Sequence, residues 1–205
     1  MTAAGELARA SAVLVLLHGR GYEPATMHAL AARLDLPGVA CVAPATPDNS
    51  WYPGRFLQPR AVSEPALSRA LDVVASTLDD LTAAGVDPAR IVLGGFSQGA
   101  CVVCDALAWR PRRLGALVVL CGGLIGIDDD ELAGPPAGAL AGLPVLLTGT
   151  EEDDWVPVER VRRTAEVLSA AGAAVDLRIH PPAEHRVHDD EVDALRELVR
   201  RVAGA

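Results

Sequence analysis

Short apolar runs of strand length recur along this chain, separated by stretches of helical periodicity, and that alternation limits the fold more than any other feature. Residues 12–17 are apolar without interruption, as a central parallel strand buried on both faces must be. Further strands are expected at 39–43, from residue 91 onward, at 117–121, at 145–148 and at 175–179. Between them lie a helix at about 25–34 and three amphipathic stripes. These are Leu67, Leu71, Val74, Leu78 and Leu81; Val158, Val161, Ala165 and Leu168; and Val192, Leu195, Leu198, Val199 and Val202. The spacing of three and four residues puts each set on one helix face. Strands alternating with helices predict an α/β fold, a mostly parallel central sheet with helices on both faces. The 205 residues supply one substantial core, and no repeat or linker divides them, so residues 1–205 read as one domain.

The strand from Ile91 ends in Gly95-Phe96-Ser97-Gln98-Gly99 and passes at once into helix-compatible residues. A serine presented on so sharp a strand-to-helix turn needs glycine two positions to either side, where side chains would collide. The turn also sets Ser97 at a helix N-terminus, where unpaired amides favour developing negative charge. Ser97 is therefore the candidate nucleophile.

A serine hydroxyl attacks only when a base takes its proton and a third group orients that base. Of five histidines, His18 sits at a strand end, His28 in the first helix and His180 at the close of a strand. His185 and His188 remain, both in the loop after the last strand. The acid falls within Glu151-Glu152-Asp153-Asp154, just after the strand at 145–148. The chain order is then serine, acid, histidine.

Four motifs together resemble the phospholipase/carboxylesterase family of small α/β-hydrolases, which includes the acyl-protein thioesterases. They are Leu17-His18-Gly19-Arg20-Gly21, Trp51-Tyr52, the Gly95–Gly99 elbow and Asp153-x-x-Val156-Pro157, spread over nearly the whole chain. The resemblance implies an α/β-hydrolase fold with Ser97 as nucleophile, His185 as base and Asp153 as orienting acid. It also implies an oxyanion hole formed by the backbone N–H groups of Arg20 and Gln98. Ala183-Glu184 departs from the residues usual before the family's histidine. The Leu-His-Gly-Arg-Gly form, with Pro53, Phe56, Leu57, Pro59 and Glu64-Pro65, resembles a bacterial subgroup named only by its general chemistry. The implied activity is hydrolysis of a carboxylic ester, thioester or lysophospholipid through an acyl-enzyme. Transfer to another acceptor, as in an acyltransferase or perhydrolase, and ligand binding without catalysis are the alternatives.

Six of the seven aromatic residues, Tyr22, Trp51, Tyr52, Phe56, Phe96 and Trp155, fall in or beside the loops that carry these motifs. With Leu124 they are expected to wall a substrate pocket for an apolar acyl or aromatic group. The Gly- and Pro-rich connection from 122 to 142 is too short to build a cap domain with its own core, so the site should be open. Its Asp128-Asp129-Asp130-Glu131 run reads as a solvated acidic turn. Cys101 and Cys104 have C-x-x-C spacing, yet no second pair or neighbouring histidines complete a metal set, so all four cysteines read as buried free thiols. Neither metal nor cofactor is expected. A net charge of −9 argues against nucleic acid or an anionic membrane as partner. All 18 basic residues are arginine, and Arg112, Arg113, Arg162, Arg163, Arg200 and Arg201 are expected on solvent-facing helix positions. No secretory signal or run of spanning length is evident, so a cytoplasmic enzyme acting on a small molecule is expected, with a homodimer left open.

Overall fold

A computed structural model describes residues 3–127, 130–182 and 184–204. In chain order the elements are α1 (Ala3–Leu7), β1 (Ala12–Leu17), α2 (Pro24–Arg33), β2 (Val39–Val42), α3 (Arg60–Ser63), α4 (Ala66–Ala83) and β3 (Ile91–Phe96). They continue with α5 (Gln98–Trp109), β4 (Ala116–Leu120), β5 (Pro144–Thr150), α6 (Val158–Ala170), β6 (Ala174–His180) and α7 (Asp189–Ala203). Single 3₁₀ turns occupy Pro47–Asn49 and Pro88–Arg90.

The six strands form one sheet in the order β2-β1-β3-β4-β5-β6, every pair parallel. The connection from β1 runs outward to β2 and that from β3 runs the other way to β4, so a crevice opens between the carboxyl ends of β1 and β3, where α/β sheets bind ligands. Leu17 pairs with Gly95, so the His18–Gly21 loop and the turn at Ser97 emerge side by side.

The unbroken apolar runs are explained by burial on both faces. Val13, Val15 and Leu17 of β1 pack into the core with α4, α5 and α6. Ala12, Leu14 and Leu16 face the opposite way into the core with α2 and α7. Each such leucine removed from water contributes about 1.5–3 kcal/mol before entropy is counted. The stripes of α4, α6 and α7 are buried as their spacing requires.

Several expectations change. Helices α1 and α3 carry no apolar periodicity strong enough to announce them, and Arg112 and Arg113 lie in the connection after α5, not on a helix. Cys41 is only half-buried on the edge strand β2, while Cys101, Cys104 and Cys121 are buried free thiols. The connection between β4 and β5 has no helix or strand among the described residues, so no cap covers this end of the sheet. Asp128 and Asp129 lie outside the described residues. Glu131, read as part of a solvated turn, instead accepts from the amides of Arg60 and Ile127, each at 2.8 Å.

Candidate active site

The turn after β3 holds Ser97 at φ 52° and ψ −118°, a positive-φ backbone that costs a residue with a Cβ about 1–3 kcal/mol. Its neighbours fix that conformation: the Ser97 amide donates to the Leu120 carbonyl at 2.9 Å, and the Ser97 carbonyl accepts from the Cys101 amide at 3.0 Å. A Cβ on Gly95 would lie 2.6 Å from the Gly99 carbonyl oxygen, and one on Gly99 would collide with the backbone oxygens of Leu17 and His18. Two glycines are thus a packing requirement of the turn.

Loops after β5 and β6 bring two further side chains to Ser97. His185 Nε2 lies 2.8 Å from Ser97 Oγ, and His185 Nδ1 lies 2.7 Å from Asp153 Oδ2. With the Nδ1–H tautomer, the imidazole donates to the carboxylate and accepts from the hydroxyl. The other carboxylate oxygen, Oδ1, accepts from the amides of Trp155 at 2.7 Å and Val156 at 3.0 Å, so both lone-pair directions are set. Burial of Asp153 works against its charge and is the largest single influence. The bond from His185 and the two amides outweigh it, holding the carboxyl below its ordinary range. The Phe96 ring packs on the imidazole at 5.2 Å between centroids.

The alternatives left open by residue type are thereby separated. His188 caps α7 instead, its amide donating to Glu191 Oε2 at 2.6 Å, and Asp154 offers its backbone carbonyl to Arg55. Ala183, part of the departure from the family pattern, lies outside the described residues.

Gly19 borders the turn so closely that an added Cβ would meet Phe96 Cδ1 at 3.1 Å and Ser97 Cβ at 3.3 Å. Among the described residues, the amides of Arg20 and Gln98 donate no hydrogen bond. The Gln98 side chain is occupied: Oε1 accepts from the Trp51 amide at 3.0 Å, and Nε2 donates to the Tyr52 carbonyl at 2.8 Å. Trp51 Nε1 donates to the His18 carbonyl at 2.8 Å. These bonds tie the 51–52 loop to the residue after β1 and to the first residue of α5, a role for Gln98 and Trp51 that the motif pattern alone does not show.

A cavity of about 300 Å³ opens above Ser97 and His185. Tyr22, Tyr52, Phe56 and Trp155 line it as expected. Trp51, Phe96 and Leu124 do not, which corrects the expected wall. Trp51 is sandwiched behind it, its ring 5.0 Å from His18; Phe96 backs the imidazole; and Leu124 is buried in the core with its carbonyl accepting from Arg160 at 2.7 Å. Proximity in sequence to a site loop does not say which way a side chain faces. Cys101 and Arg55 also line the cavity, with nothing in residue type to mark them, as do Val156 of the acid motif and the side chain of Arg20, a residue expected at the site only for its backbone amide.

Cys121, Asp153 and His185 place ligand-type atoms within 4.8 Å of one another, the one such group of three among the described residues. Burial pushes the Cys121 thiol far up, and His185 and Asp153 already bond each other, so the set favours a proton over a metal.

The model of a family described as Phospholipase/Carboxylesterase matches residues 4–203. Acyl-protein thioesterase 1 of Gibberella zeae is 32% identical over 57% of this chain and 50% of its own length. The chain thus spans about half the length of that curated relative, and 60% of the corresponding Emericella nidulans protein. A phospholipase/carboxylesterase structure from Dyadobacter fermentans superposes with a TM-score of 0.87 at 31% identity, covering 95% of this chain and 92% of that one. Esterase PE8 superposes at 0.78 with 27% identity, covering 94% and 93%.

Proposed function

Since this chain belongs to the phospholipase/carboxylesterase family of α/β-hydrolases, we propose that it hydrolyses carboxylic esters or acyl thioesters through an acyl-enzyme on Ser97. The observation that carries the proposal is the unbroken run from Ser97 Oγ through His185 to Asp153, at 2.8 and 2.7 Å.

His185 Nε2 takes the hydroxyl proton as Oγ attacks the carbonyl carbon. Asp153, held ionised by three donors, stabilises the imidazolium that forms. The unoccupied amides of Arg20 and Gln98 receive the tetrahedral oxyanion, the second of them at the N-terminus of α5, where the dipole adds to the effect. His185 then protonates the leaving oxygen or sulfur, and a water activated by the same nitrogen releases the acyl group. Loss of one such oxyanion donor typically costs on the order of a hundredfold or more in turnover. In the same reading one domain carries the whole reaction, the acyl or aromatic part of a small substrate rests on Tyr52, Phe56 and Trp155, and the enzyme works in the cytoplasm.

Ser97→Ala is expected to lower ester hydrolysis by a factor on the order of 10⁴ or more, with an unchanged far-UV spectrum, and to abolish labelling by a fluorophosphonate. Wild-type protein that takes no label, or a variant with undiminished turnover, would overturn the assignment.

A further inference from the structure

The mouth of the cavity carries two guanidiniums that no carboxylate among the described residues pairs. Arg20 and Arg55 line it, and none of its lining residues is aspartate or glutamate. Among the described residues, neither guanidinium pairs with a carboxylate. Arg20 donates to the Ser50 hydroxyl and the Gly54 carbonyl; Arg55 donates through Nη2 to the carbonyl of Asp154 at 2.8 Å. Those acceptors are neutral, so they orient the two groups without cancelling their charge. Elsewhere Arg33, Arg60, Arg110, Arg112 and Arg196 each find a carboxylate, as an acidic protein of net charge −9 makes easy.

Aromatic rings hold both guanidiniums at the rim: Arg20 lies 5.8 Å from the Tyr52 centroid and Arg55 lies 5.6 Å from that of Trp155. Stacking uses the face of the guanidinium and leaves its edge donors available. Each guanidinium has five N–H donors, and the hydrogen bonds of Arg55 to the Asp154 and Trp155 carbonyls engage only Nη2, leaving Nε and Nη1 for a ligand. The site therefore presents an apolar floor beside the nucleophile and two planar cations at the entrance.

Building on the acyl-enzyme reading, we propose that this site selects esters that carry an anionic group, a carboxylate or a phosphate, placed between the Arg20 and Arg55 guanidiniums while the ester carbonyl sits over Ser97. The planar fork of arginine matches two oxygens of either anion. The interaction is made at a partly solvated rim, so it contributes a factor of about five or more, not the thousands that a buried pair gives.

Two matched pairs of substrates test this. p-Nitrophenyl hemiglutarate is compared with p-nitrophenyl pentanoate, which places a carboxylate on the acyl side. A butyryl glycerophosphate is compared with butyrylglycerol, which places a phosphate on the alcohol side. The charged member of at least one pair is expected to show a kcat/KM about fivefold higher or more, and the pair that does so identifies the anion. That advantage should shrink as salt rises from about 0.05 to about 0.5 M. Arg55→Gln should remove most of it, Arg55→Lys should keep part, and Arg55→Glu should invert it, a graded order that a loosened loop would not produce. Neutral members cleaved as well as charged ones in both pairs, or a preference unchanged in Arg55→Glu, would overturn the proposal. Calorimetry of the Ser97→Ala protein with monomethyl and dimethyl glutarate gives a readout independent of turnover, the anion being expected to bind more tightly. Should wild type cleave no ester above Ser97→Ala, the acyl-enzyme reading fails, and the calorimetric comparison alone decides this one.

Discussion

Ser97 occupies a backbone that a serine adopts only under constraint, and the constraint comes from Gly95 and Gly99. Gly99→Ala would drive a methyl group into the Leu17 and His18 carbonyls, backbone atoms that cannot rotate away. The expected outcome is a protein destabilised by about 3 kcal/mol or more, read as a lower denaturation midpoint, with activity lost as the turn opens. Gln98 makes a second residue-scale test, because the residue is 5% exposed and its side chain satisfies two backbone groups of the neighbouring loop. Gln98→Leu leaves the Trp51 amide and Tyr52 carbonyl without those partners, for a loss of about 2–4 kcal/mol on denaturant unfolding. Asp153→Asn keeps the size of the side chain but reverses the hydrogen bond that sets the histidine tautomer, and turnover should fall on the order of ten-thousandfold in a steady-state assay. The serine, both glycines and the family-matched Asp153 are legible in the sequence, because each is required by local geometry or by a short motif. The task of Gln98 is not legible, because its partners lie 46 and 47 residues away.

The strap between β2 and α4 carries Tyr52, Arg55 and Phe56 to the cavity, and Arg60 at the start of α3 pins it. Arg60 Nη1 donates to both oxygens of Asp105 on α5, at 2.7 and 2.8 Å, and its guanidinium lies 4.8 Å from the Trp109 ring centroid. Its amide donates to Glu131 in the connection after β4, so one residue joins the strap, α5 and that connection. Arg60→Leu leaves a fully buried carboxylate unpaired, and about 3–5 kcal/mol of stability should be lost in a denaturant titration. Hydrophobic periodicity finds the long helices because their stripes follow from burial against the sheet. It cannot find this strap, which is held by polar contacts between segments far apart in the chain.

At the scale of the whole molecule, two buried carboxylates make stability respond to pH in opposite directions. Burial pushes Asp105 up to about 6, and the charge and hydrogen bonds of Arg60, with the Ile125 amide and Trp109, only partly offset that. Its contribution is therefore full below the ordinary carboxylate pKa of about 4 and is lost as pH rises through about 6. Asp153 is held low, so its contribution is present above about 4 and is lost only as pH falls below that. Thermal melts should show the stability difference between wild type and Asp105→Asn falling from pH ~4 to ~6. The corresponding difference for Asp153→Asn should hold from pH ~7 to ~5 and shrink in stronger acid. The sequence by itself determined the layered α/β architecture, since apolar runs must be buried on both faces and stripes on one. It also determined the elbow serine, whose glycines are a local steric need, and through motif resemblance it pointed to Asp153 and His185. Tertiary structure alone decided that Trp51, Phe96 and Leu124 stay out of the cavity lining and that Arg20 and Arg55 join it. The reason is physical: a strand or helix repeats with a fixed period that fixes which face a residue occupies, whereas a loop side chain takes its direction from contacts with chain that sequence distance does not reveal.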